Sequence, residues 1–501
     1  MNLRKYLGGG ALLTTGGLLS ALCSFVRNIF IARMLSLEDF GIAATFAMTT
    51  SLIEMSSDMA LDRLLVQADD GDDPKLQATA QAFQAVRGLT GCLFMILLAQ
   101  PFAALMGIPE VTWAFRTLAI VPLMRGFIHL DMYRQQREMK FAPSVGADAG
   151  PQLAMTALAI PLAAWFGDYR AVLVLTILQF ALQLLISHYV AMRRYAWHWD
   201  AVVVRRILHF GWPLLTNGFL LFGIFQGDRM IVATWFSMEE LGWYSAAFSL
   251  TMMPTLVLAK VLRTYFLPLL ARKKNDLPEF SILFERVCIA VAGLAGCFVL
   301  GFILGGPAFL QILYGARYAP AAAVIPWFAM LQALRLCRVG PSIAAMALGE
   351  TKNMMYANFV RCISIPAGVL SAYLGYSIPF VAGLAAGGEL LAVLVSMYCL
   401  YRLCHVRRSF QVTTITVFFF LVALALLGRT TFYGALNDWG ELTVAALLAL
   451  GGGLTIVALS PGAKELVSLV LHPRTVANQN VSTFAAPAGA VKRVEGEAKV
   501  V

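Results

Sequence analysis

The amino-acid sequence predicts an all-α polytopic membrane protein with about fourteen transmembrane helices. The chain is 59% hydrophobic and 13% charged, whereas soluble domains carry about 25% charged residues. Apolar runs recur from end to end, and about 20 such residues cross a bilayer core of roughly 30 Å as a helix. These runs are continuous and do not alternate with polar residues, which favours helices over a β-barrel.

The predicted spans fall into two groups of six followed by two more. We therefore divide the chain into an N-terminal six-helix lobe (1–195), a C-terminal six-helix lobe (196–405), two additional helices (406–460) and a cytoplasmic, disordered tail (461–501). In chain order the spans are 10–34, 40–66, 78–106, 111–133, 142–166, 170–192, 210–236, 241–270, 282–313, 319–348, 353–375, 377–401, 411–430 and 440–459.

An internal repeat supports the grouping into two lobes. A shift of 201 positions lays Ser36–Gly41 over Ser237–Gly242, and Leu12–Gly41 then shows 8 identities in 30 positions without a gap. A second echo pairs Glu138–Lys140 with Glu350–Lys352. Because six spans separate the copies, both enter the membrane in the same direction. Transporters built from such parallel repeats bind substrate between the repeats.

Basic residues in the short loops predict the orientation. With the N-terminus inside, seventeen Lys and Arg residues lie on the cytoplasmic side and only Arg170, Arg317 and Arg429 lie on the other. Positively charged loops stay inside, so both termini are predicted to be cytoplasmic. The net charge of +10 is then a signal of topology and of contact with anionic lipid, not of nucleic acid. The first apolar segment resembles a signal peptide, but its echo in the second half predicts a retained helix.

Twelve ionisable side chains lie well inside the predicted spans. Each costs about 2.5 kcal/mol or more at mid-bilayer, so each needs a partner or a function. One interpretation is that they form structural pairs between helices; the other is that surplus arginine lines a wet central cavity. Lys260, Arg263 and Arg286 lie nearer the helix ends and are predicted to snorkel. The twelve are Arg27, Glu54, Asp58, Arg87, Arg125, Asp148, Asp228, Arg229, Arg335, Arg338, Arg361 and Glu389.

Seven of the twelve are arginines, which predicts an anionic cargo. A guanidinium donates two parallel hydrogen bonds to phosphate and stays charged at any working pH. Arg335 and Arg338 are three residues apart and could grip one phosphate, or they could pair with Glu389 or be solvated near the cavity mouth. The candidate anion or pyrophosphate cavity comprises Arg27, Arg87, Arg125, Arg229, Arg335, Arg338 and Arg361.

The carboxylates suggest ion coupling or structural pairing. Glu54 and Asp58 share one face of the second span, and Arg27 on the neighbouring helix is the predicted partner that keeps both ionised. Asp228 and Arg229 point about 100° apart on a helix, so each is expected to pair with another helix. The candidates for a coupling proton or sodium ion are Glu54, Asp58, Asp148 and Glu389.

No catalytic or cofactor motif accompanies these charges. The sequence contains no H-E-x-x-H, G-x-S-x-G, Walker loop or C-x-x-C, so we predict a protein that is not an enzyme and holds no metal or cofactor. Its eight cysteines lie in or beside apolar spans and are predicted to be core residues. Asp70-Gly71-Asp72 has a D-x-D spacing in a short loop and is predicted to be a solvated acidic turn.

The segment after Arg27 resembles a known family signature. Ala32-Arg33-Met34-Leu35-Ser36-Leu37-Glu38-Asp39-Phe40-Gly41 is similar to the A-R-x-L-G-P-x-D-F/Y-G motif of polysaccharide-transporter proteins. These are the O-antigen and exopolysaccharide flippases of the multidrug/oligosaccharidyl-lipid/polysaccharide exporter superfamily. Ser36 replaces the usual Gly and Leu37 the usual Pro. The match assigns Glu38, Asp39 and Gly41 to a periplasmic turn.

The resemblance implies a function in polysaccharide biosynthesis. Members are V-shaped pairs of six-helix lobes that flip undecaprenyl-pyrophosphate-linked oligosaccharide across the bacterial inner membrane by alternating access. Polysaccharide polymerase and chain-length machinery are further candidate partners. A cation-coupled multidrug exporter on the same scaffold is the alternative, favoured by an acidic cavity. A membrane-embedded polymerase or ligase is a third, but it needs a larger periplasmic loop than Thr430–Glu441.

Overall fold

The computed structural model describes residues 3–404 apart from 58 and 351, together with 440, 442, 443, 445, 447 and 448. This part of the chain is helical, which confirms the predicted all-α class. Short 3-10 segments occur at Pro109–Val111 and Ala316–Ala323. The helices are α1 (Leu3–Met34), α2 (Leu37–Ser57), α3 (Leu61–Gln67), α4 (Pro74–Leu105), α5 (Thr112–Leu118), α6 (Ile120–Gly126), α7 (Asp131–Arg137), α8 (Ala142–Phe166), α9 (Arg170–Tyr189), α10 (Ala201–Trp235), α11 (Met238–Arg272), α12 (Leu277–Tyr314), α13 (Ile325–Ala347), α14 (Lys352–Arg361), α15 (Ser364–Tyr373) and α16 (Ile378–Cys404).

The predicted number of spans is not reproduced within the described residues. Eight helices there are long and apolar enough to cross a membrane, or up to ten if each of two bent helix pairs forms one span. The protein is therefore a multi-pass membrane protein. The predicted span 411–430, most of 440–459 and the tail 461–501 lie outside the described residues.

Several predicted spans are broken helices. The span 40–66 is divided into α2 and α3, and Ala60 at the start of α3 has a left-handed backbone with φ of 49°. The span 111–133 is divided into α5, α6 and α7, and 353–375 into α14 and α15. The span 319–348 begins in a 3-10 segment that bends by 64° into α13. Pro320 and Pro326 lie at that bend, where a proline cannot continue the backbone hydrogen bonds of the preceding turn.

The two copies of the repeat fold alike. α1 and α2 in one copy correspond to α10 and α11 in the other, and each pair is joined by a tight turn. The Ser36 hydroxyl accepts a hydrogen bond from the Asp39 backbone amide at 3.0 Å, and the Ser237 hydroxyl accepts one from the Glu240 amide at 3.2 Å. Both contacts cap the N-terminus of the second helix. α1 packs along α8, and α10 packs along α14 and α15, the equivalent predicted spans.

The two turns also contact each other, and glycine makes the contact possible. A Cβ placed on Gly41 would lie 1.9 Å from the Met238 carbonyl oxygen, and one on Gly242 would lie 2.2 Å from the Leu37 carbonyl oxygen. Met238 is the repeat equivalent of Leu37, so the two contacts are reciprocal. The first turns of α2 and α11 thus pack backbone to backbone at one end of the bundle. We call this end of the bundle the turn end and the opposite end the basic end.

This contact predicts a penalty for any side chain at the two glycines. Gly41→Ala and Gly242→Ala should each destabilise the protein by about 1–3 kcal/mol, because an added methyl group forces the two backbones apart. Thermal unfolding in detergent measures the effect. Gly146→Ala is the matched control, since a Cβ there meets nothing within 4 Å. Equal melting temperatures for all three variants would contradict the inference.

Candidate functional site

A central cavity of about 330 Å³ lies between α1, α2 and α9 on one side and α10 and α11 on the other. Arg27 of α1 and Arg229 of α10 both line it, so helices of both repeat copies contribute an arginine. The remaining lining is mostly apolar or hydroxyl-bearing, and no carboxylate is part of it within the described residues. Its lining residues include Ser24, Asn28, Thr176, Ser245, Phe248 and Ser249.

Neutral groups hold both arginines of this central cavity. The Arg27 guanidinium donates to the Gln179 side-chain oxygen at 2.7 Å and contacts no carboxylate in the described part of the chain. The Arg229 guanidinium lies 4.4 Å from the ring centre of Phe248 and donates to the Phe225 carbonyl at 3.1 Å. Such contacts satisfy part of each guanidinium without cancelling its charge.

Asp228, next to Arg229, points elsewhere. Its carboxylate accepts a hydrogen bond from the Tyr244 hydroxyl at 3.0 Å. Tyr244 and Phe248 both belong to α11, so the adjacent acid and base each contact a neighbouring helix, as their angular separation predicted. The aromatic partners were not predicted. An aromatic residue about two or three turns into the following helix, such as Tyr244 or Phe248, is the sequence signal that indicates them.

A second cavity, of about 260 Å³, lies within the N-terminal helices and holds two more predicted arginines. Arg125 of α6 forms an ion pair with Glu54 of α2, and the Arg87 guanidinium donates to the Ser57 carbonyl at 3.2 Å. Both arginines line this cavity. Asp148 accepts a hydrogen bond from the Gln183 amide at 3.0 Å.

The predicted pairing of Glu54 with Arg27 is wrong. α1 and α2 run antiparallel from their shared turn, with Arg27 seven residues before the end of α1 and Glu54 seventeen residues after the start of α2. At 1.5 Å per residue the two differ in depth by about 15 Å, beyond the reach of an ion pair. Asp58, the other predicted partner of Arg27, lies outside the described residues.

The remaining three arginines surround one buried carboxylate. Glu389 of α16 is fully buried. One carboxylate oxygen lies 2.7 Å from Arg338 Nε, and the other lies 2.6 Å from Arg361 Nε and 3.5 Å from Arg335 Nε. We call these four residues the arginine–glutamate cluster. Arg335 and Arg338 thus face the same way, and pairing with Glu389 is the alternative that the sequence left open. Their role in gripping phosphate stays a prediction.

A pair of arginines that the sequence analysis did not select ties the turn end together. The Arg33 guanidinium donates to the Leu313 carbonyl at 2.7 Å and to the Ile312 carbonyl. In return the Arg317 guanidinium and the Tyr318 hydroxyl donate to the Ala32 carbonyl at 2.7 and 2.9 Å. Each arginine satisfies the free carbonyls at the C-terminus of a helix from the other copy. The sequence feature that indicates this contact is an arginine at a helix end. Arginines at helix ends also serve to predict membrane orientation, so the feature does not by itself distinguish the two roles.

The acidic turn Asp70-Gly71-Asp72 lies at the basic end. It is not only solvated, because both aspartates contact arginines. The Arg206 guanidinium donates to both carboxylate oxygens of Asp70 at 2.7 and 2.9 Å, and Arg193 contacts the Asp72 carboxylate at 2.8 Å. The hydrogen bond from Arg206 lowers the pKa of Asp70. The pair therefore contributes stability above the ordinary pKa of aspartate and loses it as the pH falls through the lowered value. Because Asp70 is 47% exposed, that contribution is small.

The fold of this multi-pass membrane protein is similar to the folds of solved membrane transporters. It is similar to the lipid II flippase MurJ in an inward closed conformation, with a TM-score of 0.68 and 12% identity over 93% of this chain and 100% of that one. It also resembles an inward-facing multidrug resistance MATE family transporter of the MOP superfamily, with a TM-score of 0.61 and 14% identity over 78% and 96% of the two chains. At these identities the likeness concerns the fold.

The sequence places the chain within a family. A family model described as a polysaccharide biosynthesis protein matches residues 30–323, more than half of the 501 residues. The chain belongs to this family, which confirms the predicted resemblance. It is also 25% identical to the amylovoran biosynthesis protein AmsL of Erwinia amylovora over 157 residues, which are 31% of this chain and 40% of that relative. These similarities agree with the prediction that the chain is not an enzyme.

The cluster predicts a strong dependence of stability on Glu389. Glu389→Gln should destabilise the protein by about 3–5 kcal/mol, because the buried Arg335 and Arg361 and the half-buried Arg338 lose their shared carboxylate. Thermal unfolding in detergent checks this. Glu279→Gln is the control, since Glu279 forms an exposed pair with Lys273 and should change stability by at most about 1 kcal/mol. A Glu389→Gln variant as stable as the control would show that the cluster needs no carboxylate.

Proposed function

We propose that this protein is a flippase that moves an undecaprenyl-pyrophosphate-linked oligosaccharide across the bacterial inner membrane for O-antigen or exopolysaccharide biosynthesis. The observation that carries the proposal is that Arg27 and Arg229, from the two repeat copies, both line the central cavity, with no carboxylate in its lining within the described residues. Two guanidinium groups with open positions favour a phosphate-bearing cargo. A multidrug exporter of cations needs the opposite charge.

The size of the cavity defines what part of the cargo it takes. Small-molecule pockets range from about 300 to 1,000 Å³, so 330 Å³ lies at the lower end of that range and holds a pyrophosphate with only part of an attached oligosaccharide. The whole glycan therefore enters only when the helices separate. This supports alternating access, in which the helices of residues 1–195 and 196–405 move as two lobes around the arginines.

The orientation follows from the charge distribution. The basic end carries Arg193, Arg206 and the other loop arginines, and basic loops stay cytoplasmic. The turn end is then periplasmic and both termini are cytoplasmic. The closed turn contact and the Arg33 and Arg317 hydrogen bonds define a state in which the periplasmic exit is shut.

Substitution of the cavity arginines tests the cargo. Arg27→Ala and Arg229→Ala should each lower cargo affinity about 10- to 100-fold, because each removes charge-assisted hydrogen bonds to phosphate. The measurement is surface polysaccharide and accumulated lipid-linked repeat units in cells that lack the wild-type gene. Arg27→Lys should rescue only partly, since an ammonium keeps the charge and loses the fork.

Arg170→Ala is the control for those variants. Arg170 lies on the exposed surface beside Asp168 and over Trp113, so export should remain normal. Normal export by folded Arg27→Ala and Arg229→Ala proteins would refute the proposed cargo site.

The turn-end hydrogen bonds test the proposed gate. Arg33→Ala combined with Arg317→Ala should shift the protein towards a state open at the periplasmic side, because both helix C-termini lose their guanidinium donors and only the Tyr318 hydroxyl still donates to Ala32. The readout is labelling of Ala44→Cys, a position that lines the central cavity, by a membrane-impermeant maleimide added to cells. Labelling should be faster than in the Ala44→Cys protein alone. Unchanged labelling would mean that these hydrogen bonds do not hold the gate shut.

A further inference from the structure

A small pocket separate from the central cavity lies beside the arginine–glutamate cluster. It has a volume of about 20 Å³ and is enclosed by residues of α10, α13, α14, α15 and α16. Arg335 and Arg361 line it together with Asp228. Its walls are otherwise mostly apolar or glycine. The pocket therefore places two guanidinium groups against a space that the proposed cargo path does not use.

Arg361 has unused hydrogen-bond donors at this pocket. Its side chain is 3% exposed, and its Nε contacts Glu389 at 2.6 Å. The two terminal nitrogens, Nη1 and Nη2, are buried without any hydrogen-bond partner. A buried donor without an acceptor costs about 1–3 kcal/mol, and more when it is charged. The position of Arg361 thus indicates an acceptor that is not a side chain of the described residues.

Charge shows which kind of acceptor is needed. Arg335, Arg338 and Arg361 face the carboxylates of Glu389 and, across the pocket, Asp228. Three cations against two anions leave one positive charge uncompensated. Arg229, next to Asp228, adds a further charge that faces the central cavity over Phe248. A water molecule would accept a hydrogen bond from an Arg361 N–H group but would not neutralise the surplus positive charge. An uncompensated charge is costly in a low-dielectric interior.

The volume restricts the anion to a single atom. A cavity needs about 10–15 Å³ to hold one water-sized particle, so 20 Å³ takes one such particle and excludes phosphate or sulfate. We infer that this pocket is a binding site for a monatomic anion, of which chloride is the natural occupant. The anion accepts hydrogen bonds from Arg361 Nη1 and Nη2 and cancels the surplus charge of the cluster. This inference does not depend on the nature of the transported cargo.

Halide-dependent stability tests the site. Thermal unfolding of the full chain in detergent is measured while sodium chloride replaces sodium gluconate at constant ionic strength. The melting temperature should rise by a few degrees and saturate, because the anion binds the folded state. Bromide should act like chloride, whereas sulfate should not. An equal rise in sulfate, or none in chloride, would overturn the inference.

Variants locate the effect. Arg361→Gln should abolish the chloride-dependent rise, and Arg402→Gln should retain it, since Arg402 lies at the exposed end of α16 and contacts Tyr398. A rise that persists in Arg361→Gln, or disappears in Arg27→Ala, would place the anion elsewhere and refute the assignment. If Arg361→Gln does not fold, anomalous scattering from wild-type crystals in bromide decides. A bromide peak beside Arg361 supports the site, and its absence there at saturating bromide refutes it.

Discussion

The cost of placing guanidinium groups inside a membrane protein governs this structure. Arginine cannot lose its proton to lower that cost, so a buried side chain needs acceptors or a counter-charge. Carboxylates serve Arg125 and the arginine–glutamate cluster, whereas neutral groups and an aromatic ring serve Arg27 and Arg229. The exposed Arg33 and Arg317 donate to carbonyls at helix ends. Arg27 and Arg229 keep their positive charge at the central cavity, whose lining within the described residues contains no carboxylate.

The arginines therefore fall into those that hold helices together and those proposed to bind cargo. Arginines that share Glu389 hold α13, α14 and α16 together, and those that cap helix ends join the two repeat copies. Arg27 and Arg229 lie where the copies face each other and keep their charge available. Cargo recognition is therefore proposed for two of the seven predicted arginines, while the others position helices or line smaller cavities. The arginine–glutamate cluster carries one surplus positive charge that is not part of the proposed cargo site. The small pocket beside Arg361 has room for the inferred counter-ion.

Duplication explains why the proposed cargo site is lined by helices of both repeat copies. The reciprocal contact of Gly41 with Met238 and of Gly242 with Leu37 brings the two turns together at one end of the bundle. α1, α2, α10 and α11 lead away from this contact, and all four helices line the central cavity. Because this contact is made by backbone atoms and involves few side chains, the two turns can separate without the repacking of many side chains. The same geometry suits a gate that shuts one side of the membrane.

The sequence by itself determined the helical membrane class, the repeat, the family and the sign of the buried charge, because these depend on composition and on local spacing along the chain. It also indicated that Asp228 and Arg229 would contact other helices, since their angle on one helix is set locally. Tertiary structure alone decided the partners: Glu54 with Arg125, Arg335 and Arg338 with Glu389, and the acidic turn with Arg206. Those pairings depend on the depth and crossing of helices far apart in sequence, and many neighbouring helices satisfy the same local pattern.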